Sequence, residues 1–244
     1  MTLISGGHNI YGQVIGVICL GGTLYPKLPG HIKNATTFDF PVSYKVIAEA
    51  TPKSFIEEGG RNLVNLFIKA AQELEKEGVK AITGSCGFMS IFQEEIANAV
   101  RVPVFMSSLI QVPLVYRMLR KDQKVGIMTA CKKYLSNKHL EAVGIKNIPL
   151  CIEGMDNQEE FMDLIFKKKK TVMDTVKFKN ELVSVATEMV KRNPEIGAMI
   201  LECTDMSPFA KDIQEATGLP IFDIVTLVNM VYNAVVRKHY VGIL

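Results

Sequence analysis

The chain has 244 residues, 48% of them hydrophobic and 22% charged, with a formal net charge of +3. That suffices for one large domain or two small ones, and the Lys and Arg residues are scattered with no basic, aromatic-interleaved stripe, which argues against nucleic acid as a partner. No apolar run approaches the roughly 18 uncharged residues of a membrane span, the N-terminus does not read as a signal peptide, and five widely spaced cysteines make neither a disulfide framework nor a metal site, so the expectation is a cytoplasmic protein with reduced thiols and no membrane partner.

In chain order, Val14 to Leu20 is a continuous apolar run closed by Gly21-Gly22, which suits a strand buried on both faces of a parallel sheet. Thr23 to Pro41 carries three prolines and His31 without periodicity, a long loop of the kind kept for function and expected over the strand tips. Val42 to Ala50 reads as a strand, and the apolar positions Leu63, Leu66, Phe67, Ala70, Ala71 and Leu74 predict a helix that ends at Gly78. Strands are expected at Val79 to Ser85 and Val102 to Met106, with helices at Glu94 to Val100 and Ile110 to Arg120. The charged break 120–124 then marks a boundary. Lys124 to Ala130 restarts the pattern of the first strand, Tyr134 to Val143 predicts a helix, and Ile148 to Ile152 a short strand. Residues 157–192 are helical by period in two pieces, and the Lys167 to Lys170 run reads as a solvated corner. A strand from Ile196 to Glu202 and a final helix from Val225 to Lys238 complete the chain.

One stretch is written twice. Setting Cys86 on Cys203 without a gap aligns Met89 with Met206, Ser90 with Ser207, Phe92 with Phe209, Ile96 with Ile213, Pro103 with Pro220 and Phe105 with Phe222. Each copy is an apolar strand, a cysteine at its C-terminal end, a turn, an amphipathic helix and a second strand. Self-similarity at this scale predicts two pseudo-symmetric α/β lobes, each a mainly parallel sheet flanked by helices. Residues 1–120 plus 225–244 form the first lobe and 121–224 the second. Ligands of open α/β sheets bind beyond the C-terminal strand ends, so facing lobes would bring both thiols to one cleft.

Cysteines in apolar strands are usually inert, and Cys19 and Cys151 are read so. Cys131 lies just past a strand end, within reach of the cleft edge. Cys86 and Cys203 each stand where a strand turns towards a helix, whose free amides can lower a thiol pKa from about 8.5 into the range of roughly 3.5–7.5. They are the candidate catalytic pair, with Ser85, Gly87, Thr129, Ala130, Thr204 and Asp205 as candidate substrate-binding residues. Of the four histidines only His31 lies near a strand tip, and none has metal-ligand spacing. The expected chemistry is cofactor-free proton transfer beside a carboxylate, one thiolate taking a proton and the opposite thiol returning one. Cysteine-assisted isomerisation or decarboxylation of a dicarboxylate is the alternative reaction. A small-molecule-binding protein is the alternative class.

These residues resemble the aspartate/glutamate/hydantoin racemase superfamily, whose members include maleate isomerase and arylmalonate decarboxylase. The resemblance rests on Ile15-Gly-Val, Gly84-Ser-Cys-Gly-Phe88, Val125-Gly-Ile-Met-Thr129 and Leu201-Glu-Cys-Thr-Asp205. It implies two similar lobes around the active site, no cofactor, catalysis by Cys86 and Cys203, a small carboxylate or hydantoin substrate, and a homo-oligomer. Amino-acid racemases of the group often carry an acidic residue and a serine where this chain has Cys19 and Leu20, and His or Glu where it has Asp205. The segment Asp39 to Tyr44 is closer to the hydantoin-racemase and decarboxylase side.

Overall fold

The computed structural model describes residues 3, 6–57, 59–167 and 169–243. Much of the N-terminal stretch read for a signal peptide (residues 1, 2, 4 and 5) and Lys168 of the basic run lie outside the described residues. In the first half, β1 (Ile15–Leu20), β2 (Val42–Ile47), α1 (Val64–Lys76), β3 (Ala81–Gly84), α2 (Gln93–Ala99), β4 (Val104–Phe105) and α3 (Val112–Met118) follow one another. The second half runs β5 (Lys124–Thr129), α4 (Asn137–Glu141), β6 (Leu150–Gly154), α5 (Glu159–Ile165), α6 (Thr175–Arg192), β7 (Ile196–Leu201), α7 (Ala210–Thr217), β8 (Ile221–Phe222) and α8 (Ile224–Val235). Among the described residues the strands form two four-stranded parallel sheets, ordered β2-β1-β3-β4 and β6-β5-β7-β8. No described helix is long and apolar enough to cross a membrane.

The duplication holds at the level of register. Ala81 lies opposite Ile15 in one sheet, and its counterpart Ala198 lies opposite Val125 in the other. Ile82 faces Val104 as Met199 faces Ile221. The two strand glycines also correspond: a Cβ at Gly16 would meet Leu74 of α1 at 3.0 Å, and one at Gly126 would meet Met189 of α6 at 3.1 Å. A bare backbone at both places lets a helix settle on its sheet.

Side chains alternate across the strands, as period-2 geometry requires. Ile18 and Leu20 join Phe67, Ala71 and Leu74 in the large cluster that also takes in Met128, Met199 and Leu201 of the second sheet. Ile15 and Val17 point the other way, against Ile224, Leu227 and Val228 of α8. Val125, Ile127, Ala198 and Ile200 likewise pack against Val112 and Val115 of α3. The last helix of each half therefore covers the sheet of the other half. The boundary at 120–124 had put the 110–120 helix with the first sheet, but the apolar side of α3 is buried on the second.

Several elements are shorter than expected. β2 stops at Ile47, because the Ile47 and Ala50 carbonyls both accept from Gly21 N–H and turn the chain. The 134–143 helix contracts to α4, since Lys132–Tyr134 forms a 3-10 turn and Ser136 with His139 makes a capping box. The basic run is more than a solvated corner: Lys167 and Lys169 pair with Asp163, and Lys170 with the buried Glu160.

Candidate active site

β3 and β7 end side by side in function though not in sequence: Cys86 and Cys203, each just past its strand, line one cavity. Both thiols are free, and Met89 N–H bonds to the Cys86 carbonyl as Met206 N–H bonds to that of Cys203. The lobes are tied across the site. Thr204 Oγ1 donates to the Ser85 carbonyl at 2.8 Å, and Ser108 Oγ donates to the Leu201 carbonyl at 2.7 Å.

The remaining walls come largely from the long loop after β1, as expected of it. Asp205 is its anchor. Its Oδ2 accepts from the Tyr25 hydroxyl at 2.9 Å, and its Oδ1 from Lys27 Nζ at 3.3 Å and His31 Nε2 at 3.1 Å. Lys33 N–H donates to His31 Nδ1 at 2.9 Å, so the ring hydrogen sits on Nε2 and the imidazole serves Asp205 as a neutral donor. Burial lowers the His31 pKa against the pull of Asp205, in keeping with that tautomer. The Lys27 ammonium also lies over the Tyr25 ring, 3.0 Å from its centroid. Burial pulls Lys27 down to about 8 although Asp205 opposes it. Burial would raise Asp205, yet Lys27, His31 and Lys33 together hold its carboxyl far below the usual carboxylate range.

Glu202, the residue after β7, is a site residue for which the sequence alone gives only a strand position. It is 1% exposed and lines the cavity. Thr129 Oγ1 donates to its Oε2 at 2.8 Å and Ala130 N–H at 3.2 Å, whereas Oε1 has no partner among the described residues. Burial pushes Glu202 up to about 7, the two donors to Oε2 working against it and Asp205 adding to it.

The thiols differ from expectation in acidity. Burial is the largest effect on both and raises both; Glu202 adds to it at Cys86, and Asp205 and Glu202 add to it at Cys203. Amides of Phe88 and Asp205 do oppose the rise. They are too few, because Cys86 leads into a 3-10 turn (Gly87–Phe92) rather than directly into α2, and a short turn carries little of a helix dipole.

Of the candidate substrate-binding residues, Ser85, Gly87, Ala130, Thr204 and Asp205 line the cavity with the thiols. Thr129 does not: it is wholly buried and spends its hydroxyl on Glu202. Asp205 has both oxygens occupied and organises the loop. Cys131 is buried, donates to Asp156 Oδ1 at 3.0 Å, and stays off the cavity wall. His31, Tyr25, Lys27 and Lys33 all reach it.

Gly87 is required by this packing, since a Cβ there would come within 2.1 Å of Glu202 Oε1 and 2.2 Å of the Glu202 carbonyl oxygen. The carboxylate could swing aside, but the carbonyl is main chain, and the Glu202 N–H bond to the Met128 carbonyl holds the backbone there. Gly87→Ala is therefore expected to cost about 1–3 kcal/mol, lowering Tm by several degrees in a thermal melt. An unchanged Tm would contradict the close approach.

Comparison with known proteins places this geometry. Residues 68–229 match the family model described as Asp/Glu/Hydantoin racemase. A dimethylsulfoniopropionate lyase of Durusdinium sp. clade D is 30% identical over 224 residues, which cover 88% of this chain and 72% of that protein. Dimethylsulfoniopropionate lyase 5 of Emiliania huxleyi (strain CCMP1516) is 27% identical over 86% of this chain, which spans only 43% of that protein's length. Among solved structures, a mutant of arylmalonate decarboxylase in a sulfate-associated form has a TM-score of 0.61 at 13% identity, covering 90% of this chain and 93% of the other. Allantoin racemase from Pseudomonas fluorescens has a TM-score of 0.60 at 14% identity, covering 92% and 91%. At such identities the likeness is one of fold.

Proposed function

The chain belongs to the Asp/Glu/Hydantoin racemase family, and from that premise we propose that it is a cysteine-dependent lyase. It would take a proton from the carbon next to a carboxylate and expel a group from the neighbouring carbon, with dimethylsulfoniopropionate as the substrate suggested by its relatives. The observation that carries this reading is an asymmetry around matched sulfurs. Cys86 sits in Ser85-Cys86-Gly87-Phe88, whereas Cys203 sits in Glu202-Cys203-Thr204-Asp205. Two acidic groups thus flank one cysteine in sequence and have no counterpart in the other copy. A two-base racemase exchanges the roles of its sulfurs with each direction of turnover, which favours equivalent surroundings; unequal ones favour a reaction that runs one way. Racemisation, the leading expectation from the sequence, is the second reading, favoured by the opening of both thiols onto one cavity.

In the elimination, a thiolate removes the α-proton, the C–H electrons become the new C=C bond, and the C–S bond breaks with its electrons going to sulfur. Dimethyl sulfide leaves as a neutral molecule, acrylate remains, and the new thiol returns its proton to solvent. A sulfonium leaving group needs no acid. The substrate carboxylate would meet the cationic loop side of the pocket. There Lys33 donates to Thr23 Oγ1 and the Leu20 carbonyl, and among the described residues makes no ion pair. We place this activity in the cytoplasm.

The test is incubation with dimethylsulfoniopropionate in deuterated buffer, followed by proton NMR. Acrylate and dimethyl sulfide should accumulate. If neither forms while amino acids or hydantoins take up deuterium at their stereocentre, the lyase reading falls and racemisation stands.

A further inference from the structure

Glu202 poses a question that the elimination alone does not answer. Its carboxyl is held through Oε2 by Thr129 and Ala130, while Oε1 is buried and unpartnered and lies against Gly87, which like Glu202 lines the cavity. Leaving one buried carboxylate oxygen unpartnered is costly, so Oε1 is the wall atom with most to gain from a cationic ligand. Every titratable group packed against it is acidic or a thiol: Asp205 and Cys203 beyond β7, and Cys86 beyond β3. The cations stand elsewhere. Lys27 and His31 are engaged with Asp205, and Lys33 with Thr23 and the Leu20 carbonyl. An anionic group brought to Glu202 would meet Asp205 as well, so the ligand's negative end belongs on the lysine side. An aromatic face is the usual alternative seat for an onium group, but the face of Tyr25 under Lys27 is already covered by that ammonium.

We propose that Glu202 is the specificity residue for the substrate's cationic end, and that the pocket selects small zwitterions in which a carboxylate and an onium group are separated by a short carbon chain. This rests on the cavity being the substrate site, and holds whichever bond the enzyme breaks. A sulfonium or quaternary ammonium has no hydrogen to donate, so recognition comes from charge on Oε1, and a glutamine of the same shape cannot supply it. Since Oε2 accepts two hydrogen bonds, any proton on Glu202 sits on Oε1 and must leave as an onium group arrives. Burial places that titration near neutrality, at about 7.

A matched pair of ligands isolates the charge: 3-(trimethylammonio)propionate and its carbon isostere 4,4-dimethylpentanoate. Calorimetry at pH 8 should show the onium ligand bound at least about tenfold more tightly, the scale of one charge-assisted contact. Glu202→Gln should remove that preference while leaving the affinity for 4,4-dimethylpentanoate within about twofold. In the unaltered protein the preference should shrink as the pH falls from 8 to 6, and the enthalpy of onium binding near pH 7 should vary with the buffer, reporting a released proton. Equal affinities in the unaltered protein, a preference that survives Glu202→Gln, or no binding of either ligand at millimolar concentration would each overturn the proposal. Because neither ligand needs to react, a failed lyase assay leaves this result readable.

Discussion

Serine in place of whichever of Cys86 and Cys203 supplies the thiolate is expected to lower elimination by about 10²–10⁴-fold, the range for removing a positioned base. A hydroxyl has nearly the size of a thiol but does not ionise near neutral pH, so the loss should come without a change in fold, which circular dichroism checks. The two variants should then separate. The one that keeps the base will still release dimethyl sulfide; the other will not. Wild-type turnover in both variants would rule out a thiolate base. Both thiols are raised by burial and by neighbouring carboxylates, so the reactive thiolate is scarce at neutral pH. Activity should accordingly rise from pH 6 to pH 9.

The second large effect is structural. Asp205 and Lys27 are 11% and 14% exposed, and the carboxylate holds three side chains of one loop. Asp205→Ala leaves a buried ammonium and a buried hydroxyl without their acceptor, which should cost roughly 3–5 kcal/mol. The pH dependence has a definite sign. Because the folded-state pKa of Asp205 is depressed by its cations, its contribution is fully present above the unfolded value of about 3.9 and is lost as pH falls below it. The Tm gap between the unaltered protein and the variant should therefore be widest above about pH 4 and smaller by about 1 kcal/mol of stability at pH 3. A gap that stays constant across that interval would mean that the cluster is not the source of the stability.

Much of this was legible because the duplication could be aligned without a gap. It predicted two parallel sheets, and the pairing of Ala81 with Ile15 and of Ala198 with Val125 follows that alignment. It also singled out the two sulfurs that share the cavity. The loop after β1 read as functional, yet Tyr25 and Lys27 did not stand out, since they meet Asp205 across 180 and 178 residues of chain. Periodicity is a local signal and carries nothing about such contacts. Glu202 was hidden differently: an acid at the tip of an apolar strand resembles an ordinary solvent-facing terminator. Its signal lay in the alignment, where it replaces Ser85 next to the matched cysteine. Burial also reversed the expected acidity of the thiols, and burial of a turn residue depends on what the opposite lobe sets over it.

The crossed helices have a mechanical consequence. α3 lies on the second sheet and α8 on the first, so parting the halves like a clam would tear each from its own lid of apolar side chains. The way in then runs past Thr23, Tyr25 and Pro52, which border both the thiol cavity and a second hollow. The gape of the site is fixed by the architecture.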